Sequence, residues 1–127
     1  MISVHDAILI HEILVDNFGG TKGIRDIKQL ESALTRPFQT FDQKELYKTP
    51  IEKAAALIES LLTNHPFLDG NKRVGYVLMR LLLMKYGIDI QASEAKKYDF
   101  VINIATGKLK YAEIIKWLEK KANPIVN

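Results

Sequence analysis

His65-Pro66-Phe67-Leu68-Asp69-Gly70-Asn71-Lys72-Arg73 gathers a potential base, a potential metal ligand, a flexible glycine and two cations into nine residues. It lies between two apolar helical stretches, Ile51 to Thr63 and Val74 to Tyr86. Pro66 cannot continue the first of these, because proline lacks the amide proton and clashes with the preceding turn. The polar groups therefore collect where one helix stops and the next starts. The fold is read outward from that junction.

Upstream, Thr49-Pro50-Ile51-Glu52 is a strong start signal: a capping Thr, a proline at the first helical position and a Glu three residues after the Thr. It predicts a helix from there to about Asn64. Downstream, a second long helix is expected from Asn71 or Lys72 to Gly87. Its apolar residues Val77, Leu78, Met79, Leu81, Leu82, Leu83 and Met84 are nearly continuous, which predicts the central, most buried element. Ser3, with Asp6 at the N3 position, opens a first helix over about 4–18 that Gly19-Gly20 stops. Asp26 caps a short helix carrying Leu30, Ala33 and Leu34 and closed by Pro37, whereas Arg36 to Lys48 has no helical stripe. Ser93 opens a helix that ends near Gly107, and Tyr111 to Ala122 makes a last one before Asn123-Pro124. No strand-period segment exceeds a few residues. The expectation is an all-α bundle of about six helices around a central buried helix.

At 127 residues the chain has the size of one domain, expected to span 1–127, and can bury roughly two-thirds of its unfolded surface. Hydrophobic content of 47% with 26% charged residues fits a folded globular protein. The N-terminus has no basic region before an apolar run, and no segment approaches the ~20 apolar residues of a membrane span. A cytoplasmic protein without a membrane anchor is expected. The absence of cysteine removes disulfides, thiolate metal sites and cysteine nucleophiles together. The net charge of +3 comes from eighteen Lys and Arg scattered among fifteen Asp and Glu, which argues against a nucleic-acid surface.

At the junction, the free amides of Asn71, Lys72 and Arg73 open a helix, where an anion is favoured. Gly70 lets successive N–H groups face one concavity, and Lys72 and Arg73 add full charges. Asp69 fits such a cradle if a cation such as magnesium sits between it and the anion. His65 can take a proton from an incoming hydroxyl near neutral pH. These parts suit transfer of a phosphate-bearing group from a nucleotide to a hydroxyl. Taken singly, each also has an ordinary structural reading as a cap, a turn or a solvated charge. Gly19 to Gly23 is not a phosphate loop, since no strand precedes it and the Gly-Lys-Ser/Thr ending is missing. His5, His11 and Glu12 have no metal-ligand spacing and are assigned no chemistry; Met79, Met84 and Trp117 fall on apolar stripes and are expected to pack.

The nine residues resemble the motif of the Fic family, His-Pro-Phe-x-Asp/Glu-Gly-Asn-Gly-Arg followed after two further residues by a second Arg. The upstream segments Gly23-Ile24-Arg25-Asp26 and Leu30-Glu31-Ser32-Ala33-Leu34-Thr35-Arg36-Pro37 are similar to those of its Doc (death-on-curing) branch. The resemblance covers Gly19 to Gly87, about half the chain. It implies a Fic-like helical fold with His65 as general base for a target hydroxyl and Phe67 as the anchor of the loop. It further implies that Asp69 holds magnesium, Gly70 and Asn71 form the anion nest, and Arg73 grips a nucleotide phosphate.

Two positions depart from the motif. Lys72 stands where the second glycine is usual, and Tyr76 where the second arginine is usual. Both departures are similar to the Doc branch. That resemblance implies a toxin that moves the γ-phosphate of Mg-ATP to a protein Ser or Thr, with translation elongation factor Tu as target and a separate antitoxin chain as restraint. AMP transfer is the alternative within enzymes, and a non-catalytic basic helical module binding nucleic acid or an anionic partner is the alternative outside them. Pro37 to Lys48, with Phe38, Phe41 and Tyr47, lies where Fic proteins carry a target-docking flap, here a possible short hairpin. The Ser/Thr-x-x-x-Glu-Gly/Asn segment by which many Fic proteins restrain themselves does not occur in the sequence.

Overall fold

The structure, a computed structural model, describes residues 1–126. Six helices carry the fold: α1 (Val4–Phe18), α2 (Ile27–Thr35), α3 (Pro50–Asn64), α4 (Asn71–Lys85), α5 (Glu94–Ala105) and α6 (Tyr111–Lys121). A 3-10 turn (Arg36–Phe38) follows α2. It leads into a hairpin of β1 (Thr40–Phe41) and β2 (Lys44–Glu45), while β3 (Ile88–Ile90) pairs antiparallel with β4 (Ala122–Pro124). The mostly helical architecture agrees with the sequence reading, as do the cap signals. The Ser3 hydroxyl accepts from the Asp6 amide at 3.0 Å. Thr49 and Glu52 exchange both bonds of a capping box at 3.1 Å.

The central element differs from expectation. Nine of the fifteen residues of α3 are buried, against six of fifteen in α4, so α3 is the axis of the bundle. It packs against α2, α4, α5, α6 and the 3-10 turn. Ala54, Ala55 and Ala56 are wholly buried, and such small side chains let neighbours approach from every side. In α4, Leu81 and Met84 face outward at 38% and 41% exposure, which also corrects the expectation that Met84 packs. Met79 is buried, and Trp117 stacks on Phe100 with ring centroids 3.7 Å apart. At Gly75 the two long helices cross closely: a Cβ there would come within 2.9 Å of Leu62 Cδ2.

The segment after α2 has its own polar foundation. Lys53 is buried on α3, where its ammonium donates to the Tyr47 carbonyl and to Glu45 at 3.1 Å. The Arg36 guanidinium bonds Tyr47, Glu59 and Ser60, each at 3.0 Å. These bonds fix the base of the hairpin, whose Phe41 stays 75% exposed.

The β3–β4 pair was not anticipated. Its strands are three residues long, too short for an alternation to register. Asp89 of β3 holds Arg80 of α4 through two bonds of 2.7 and 2.9 Å, tying the ribbon to the bundle. Beside Arg80, the Asp89 carboxyl is held down at about 2 from an ordinary 3.8. A depressed folded-state value contributes stability above the unfolded value and loses it as pH falls through the folded one. The contribution is therefore complete above about pH 4 and gone near pH 2. Both side chains are partly exposed, so it stays below ~1 kcal/mol. Urea midpoints of wild type and Asp89→Asn should differ slightly at pH 7 and converge near pH 2. A difference unchanged with pH would contradict this.

Candidate active site

The loop between α3 and α4 is held on three sides. Ile24 and Phe67 form an antiparallel bridge, and the Leu68 amide donates to the Gly23 carbonyl at 3.1 Å. The Pro66 carbonyl accepts from the Arg25 and Asp26 amides at 2.8 and 3.1 Å. The Arg25 side chain then reaches the end of α3, donating to the His65 carbonyl at 2.6 Å and to the Asn64 carbonyl. Those carbonyls belong to the unpaired end of a helix, where a guanidinium also meets the negative end of the dipole. From α4, the Asn71 carboxamide clasps the backbone of Phe67 in both directions, at 3.0 and 2.9 Å. The Phe67 ring is buried and stacks on His11 of α1, centroids 4.0 Å apart.

His65 caps α3 in the left-handed conformation, φ 48° and ψ 59°. Histidine tolerates this region better than most residues, but it still stores of order 1 kcal/mol of strain. The backbone is fixed by its N–H to the Leu61 carbonyl and its C=O to Arg25, while the imidazole is exposed. It borders a cavity of about 540 Å³ that Asp69, Gly70, Asn71, Lys72 and Arg73 also line. Gly70, at φ 72°, turns the chain into α4. The first-turn amides of Asn71, Lys72 and Arg73 meet no acceptor among the described residues.

The Asp69 carboxylate accepts from the Thr21 amide at 3.1 Å and from the Gly70 amide at 2.8 Å. A carboxylate offers about four lone-pair sites, so acceptor capacity remains for a hard cation. Among the described residues no cluster of three or more His, Cys, Asp or Glu forms a metal cage. This donor set fits a magnesium ion carried mainly by substrate phosphates and water, with one protein carboxylate. Gly20 leaves room for the arrangement, since a Cβ there would come within 2.9 Å of Asp69 Oδ2.

The far wall of the cavity is α5, with Glu94, Lys97, Tyr98, Val101 and Ile102. Tyr76 lines it from α4, its hydroxyl buried without a hydrogen-bond partner among the described residues. Burial pushes that phenol up to about 12, so it stays protonated. The Arg73 guanidinium stands 4.4 Å over the ring of Phe18, the last residue of α1, and makes no ion pair among the described residues.

All six residues singled out from the sequence thus border one cavity: His65, Asp69, Gly70, Asn71, Lys72 and Arg73. Asn71 spends its side chain on the loop and offers the cavity only its amide. Arg25 and His11 were the residues missed. Arg25 was legible only as part of the resembling upstream segment. His11 was given no role because its partner Asp69 lies 58 positions away and no local spacing reports such a contact.

The Fic/DOC family model matches residues 1–83, a span that takes in α1 through most of α4 and the whole junction loop. The chain belongs to the Fic/DOC family. Over 75 residues it is 37% identical to Toxin Doc of Mycolicibacterium smegmatis, covering 59% of this chain and 58% of that protein. Over 74 residues it is 31% identical to a Fido domain-containing protein of Dictyostelium discoideum, covering 57% of this chain and 52% of that protein. The match therefore spans a little over half the length of either relative. No helix among the described residues is long and apolar enough to cross a membrane.

Proposed function

We propose that the chain is a Doc-type toxin that transfers the γ-phosphate of Mg-ATP to a Ser or Thr hydroxyl of a protein target. The observation that carries this reading is one cavity bordered by an exposed histidine at one helix end and by unpaired first-turn amides at the start of the next. A base and an anion nest facing the same space are the parts that in-line phosphoryl transfer requires. His65 takes the acceptor hydroxyl proton as the oxygen attacks the γ-phosphorus. The bond from that phosphorus to the bridging oxygen breaks, and ADP leaves. The free amides of Asn71 to Arg73 and the charges of Lys72 and Arg73 hold the phosphates. Asp69 would hold magnesium, which when bound neutralises phosphate charge.

By analogy with the Doc branch, the target is elongation factor Tu, the consequence arrested translation, and the restraint a cognate antitoxin chain in the cytoplasm. The choice of γ-phosphate over AMP is supported by Lys72 and Tyr76, which replace a glycine and an arginine of the motif and line the cavity. Incubation with target and ATP labelled at the γ- or the α-phosphate tests it. γ label on the target supports the proposal, α label replaces it with AMP transfer, and neither with any target removes both. Lys72→Gly is expected to lower γ transfer at least about tenfold, the scale of one lost charge-assisted contact. γ transfer at the wild-type rate in that variant would remove Lys72 from the choice.

A further inference from the structure

The geometry points to His11 as a latch on the Asp69–Gly70 peptide, a positioning residue that keeps the Gly70 amide on the cavity side of the loop. The inference rests on the reading of the cavity as a nucleotide site. His11 is 2% exposed and touches the loop twice, at the Phe67 ring and at the Asp69 carbonyl. Its ring stacks on Phe67, its Nε2 lies 2.7 Å from the Asp69 carbonyl, and the same nitrogen would stand 3.6 Å from a Cβ on Gly70. A carbonyl only accepts, so Nε2 carries the hydrogen and donates it.

The direction of that bond matters because the peptide is trans and planar, with C=O and N–H pointing opposite ways. With the Asp69 carbonyl drawn toward α1, the Gly70 N–H is turned away from α1 and donates to Asp69 Oδ1. Glycine supplies the left-handed turn without being able to enforce it, since it populates either sign of φ about equally. A flip of this one peptide would take the amide from Asp69 Oδ1 and turn a carbonyl oxygen toward the cavity, where it would repel an anion held by the amides of Asn71 to Arg73. Gly70 makes the turn possible, and His11 selects its orientation.

Two substitutions separate the hydrogen bond from the packing. His11→Phe keeps a ring against Phe67 and cannot donate; His11→Gln can donate without an aromatic ring. Calorimetric titration with magnesium and a non-hydrolysable ATP analogue should give about tenfold weaker binding for H11F and binding within about threefold of wild type for H11Q, the scale of one hydrogen bond to a site that holds charge. Amide 15N relaxation dispersion should show exchange at Gly70 in H11F and none in wild type or H11Q. H11F that binds like wild type, or whose Gly70 amide is equally quiet, overturns the latch. Should H11F not fold, His11→Met, which fills the space and also cannot donate, carries the same expectation. Wild-type protein that binds no nucleotide sinks the proposed function instead, and the Gly70 dispersion then decides the latch by itself.

Discussion

His65→Ala is expected to lower phosphate transfer to the target by about 10²- to 10⁴-fold, the usual contribution of a positioned general base. The melting temperature should move by no more than a few degrees. The two halves of the expectation have separate causes. The imidazole is exposed and makes no hydrogen bond among the described residues, so its loss leaves no core cavity and no orphaned partner. What the fold uses of residue 65 is backbone: the N–H to Leu61 and the carbonyl to Arg25, which alanine retains. The left-handed conformation costs alanine somewhat more than histidine, still within a few degrees of melting temperature, and His65→Gly relieves it. The glycine variant should therefore be equally inactive and just as well folded. Activity within tenfold of wild type in either variant would remove His65 from the mechanism. A cooperative loss of structure in both would show instead that the side chain supports the helix end.

The sequence was most informative where one residue type has one local job. Ser3, Thr49 with Glu52, Pro66 and Gly70 each mark a helix boundary by a mechanism confined to a few neighbouring residues, and each boundary lies where expected. That the six candidate residues border one cavity was legible for the same reason, because they are nearly contiguous. Relative burial was not legible. Apolar density made α4 look central, but what centres a helix is how many neighbours cover it, and the alanines and Lys53 of α3 carry no such signature. Lys53 looks like a surface charge until the hairpin base, folded back from positions 45 and 47, supplies its partners. The supports of the loop were equally hidden. Gly20, Thr21 and Arg25 act on residues 39 to 49 positions away, through a missing side chain, a backbone amide and a guanidinium on backbone carbonyls, which side-chain spacing does not record.

Phe67→Ala is expected to be the most destabilising single change in the loop, costing about 3–5 kcal/mol. Phe67 is among the largest fully buried side chains, and its ring is the contact that carries the junction into the core. The backbone around it is already satisfied by Ile24 and by Asn71, so those polar bonds would survive while the space beneath them emptied. For a chain of this length the loss corresponds to a fall in melting temperature of roughly 10–20 °C. Phe67→Leu refills part of the volume and loses the stack on His11, so it should cost about 1–2 kcal/mol. Urea unfolding of the two variants separates volume from stacking. A cost under 1 kcal/mol for alanine would mean that the backbone bonds alone hold the loop. Transfer should also fall in the leucine variant at temperatures where it is fully folded, because the ring that positions His11 against the Asp69 carbonyl is gone. A folded leucine variant with wild-type transfer would limit Phe67 to stability and detach it from the proposed transfer.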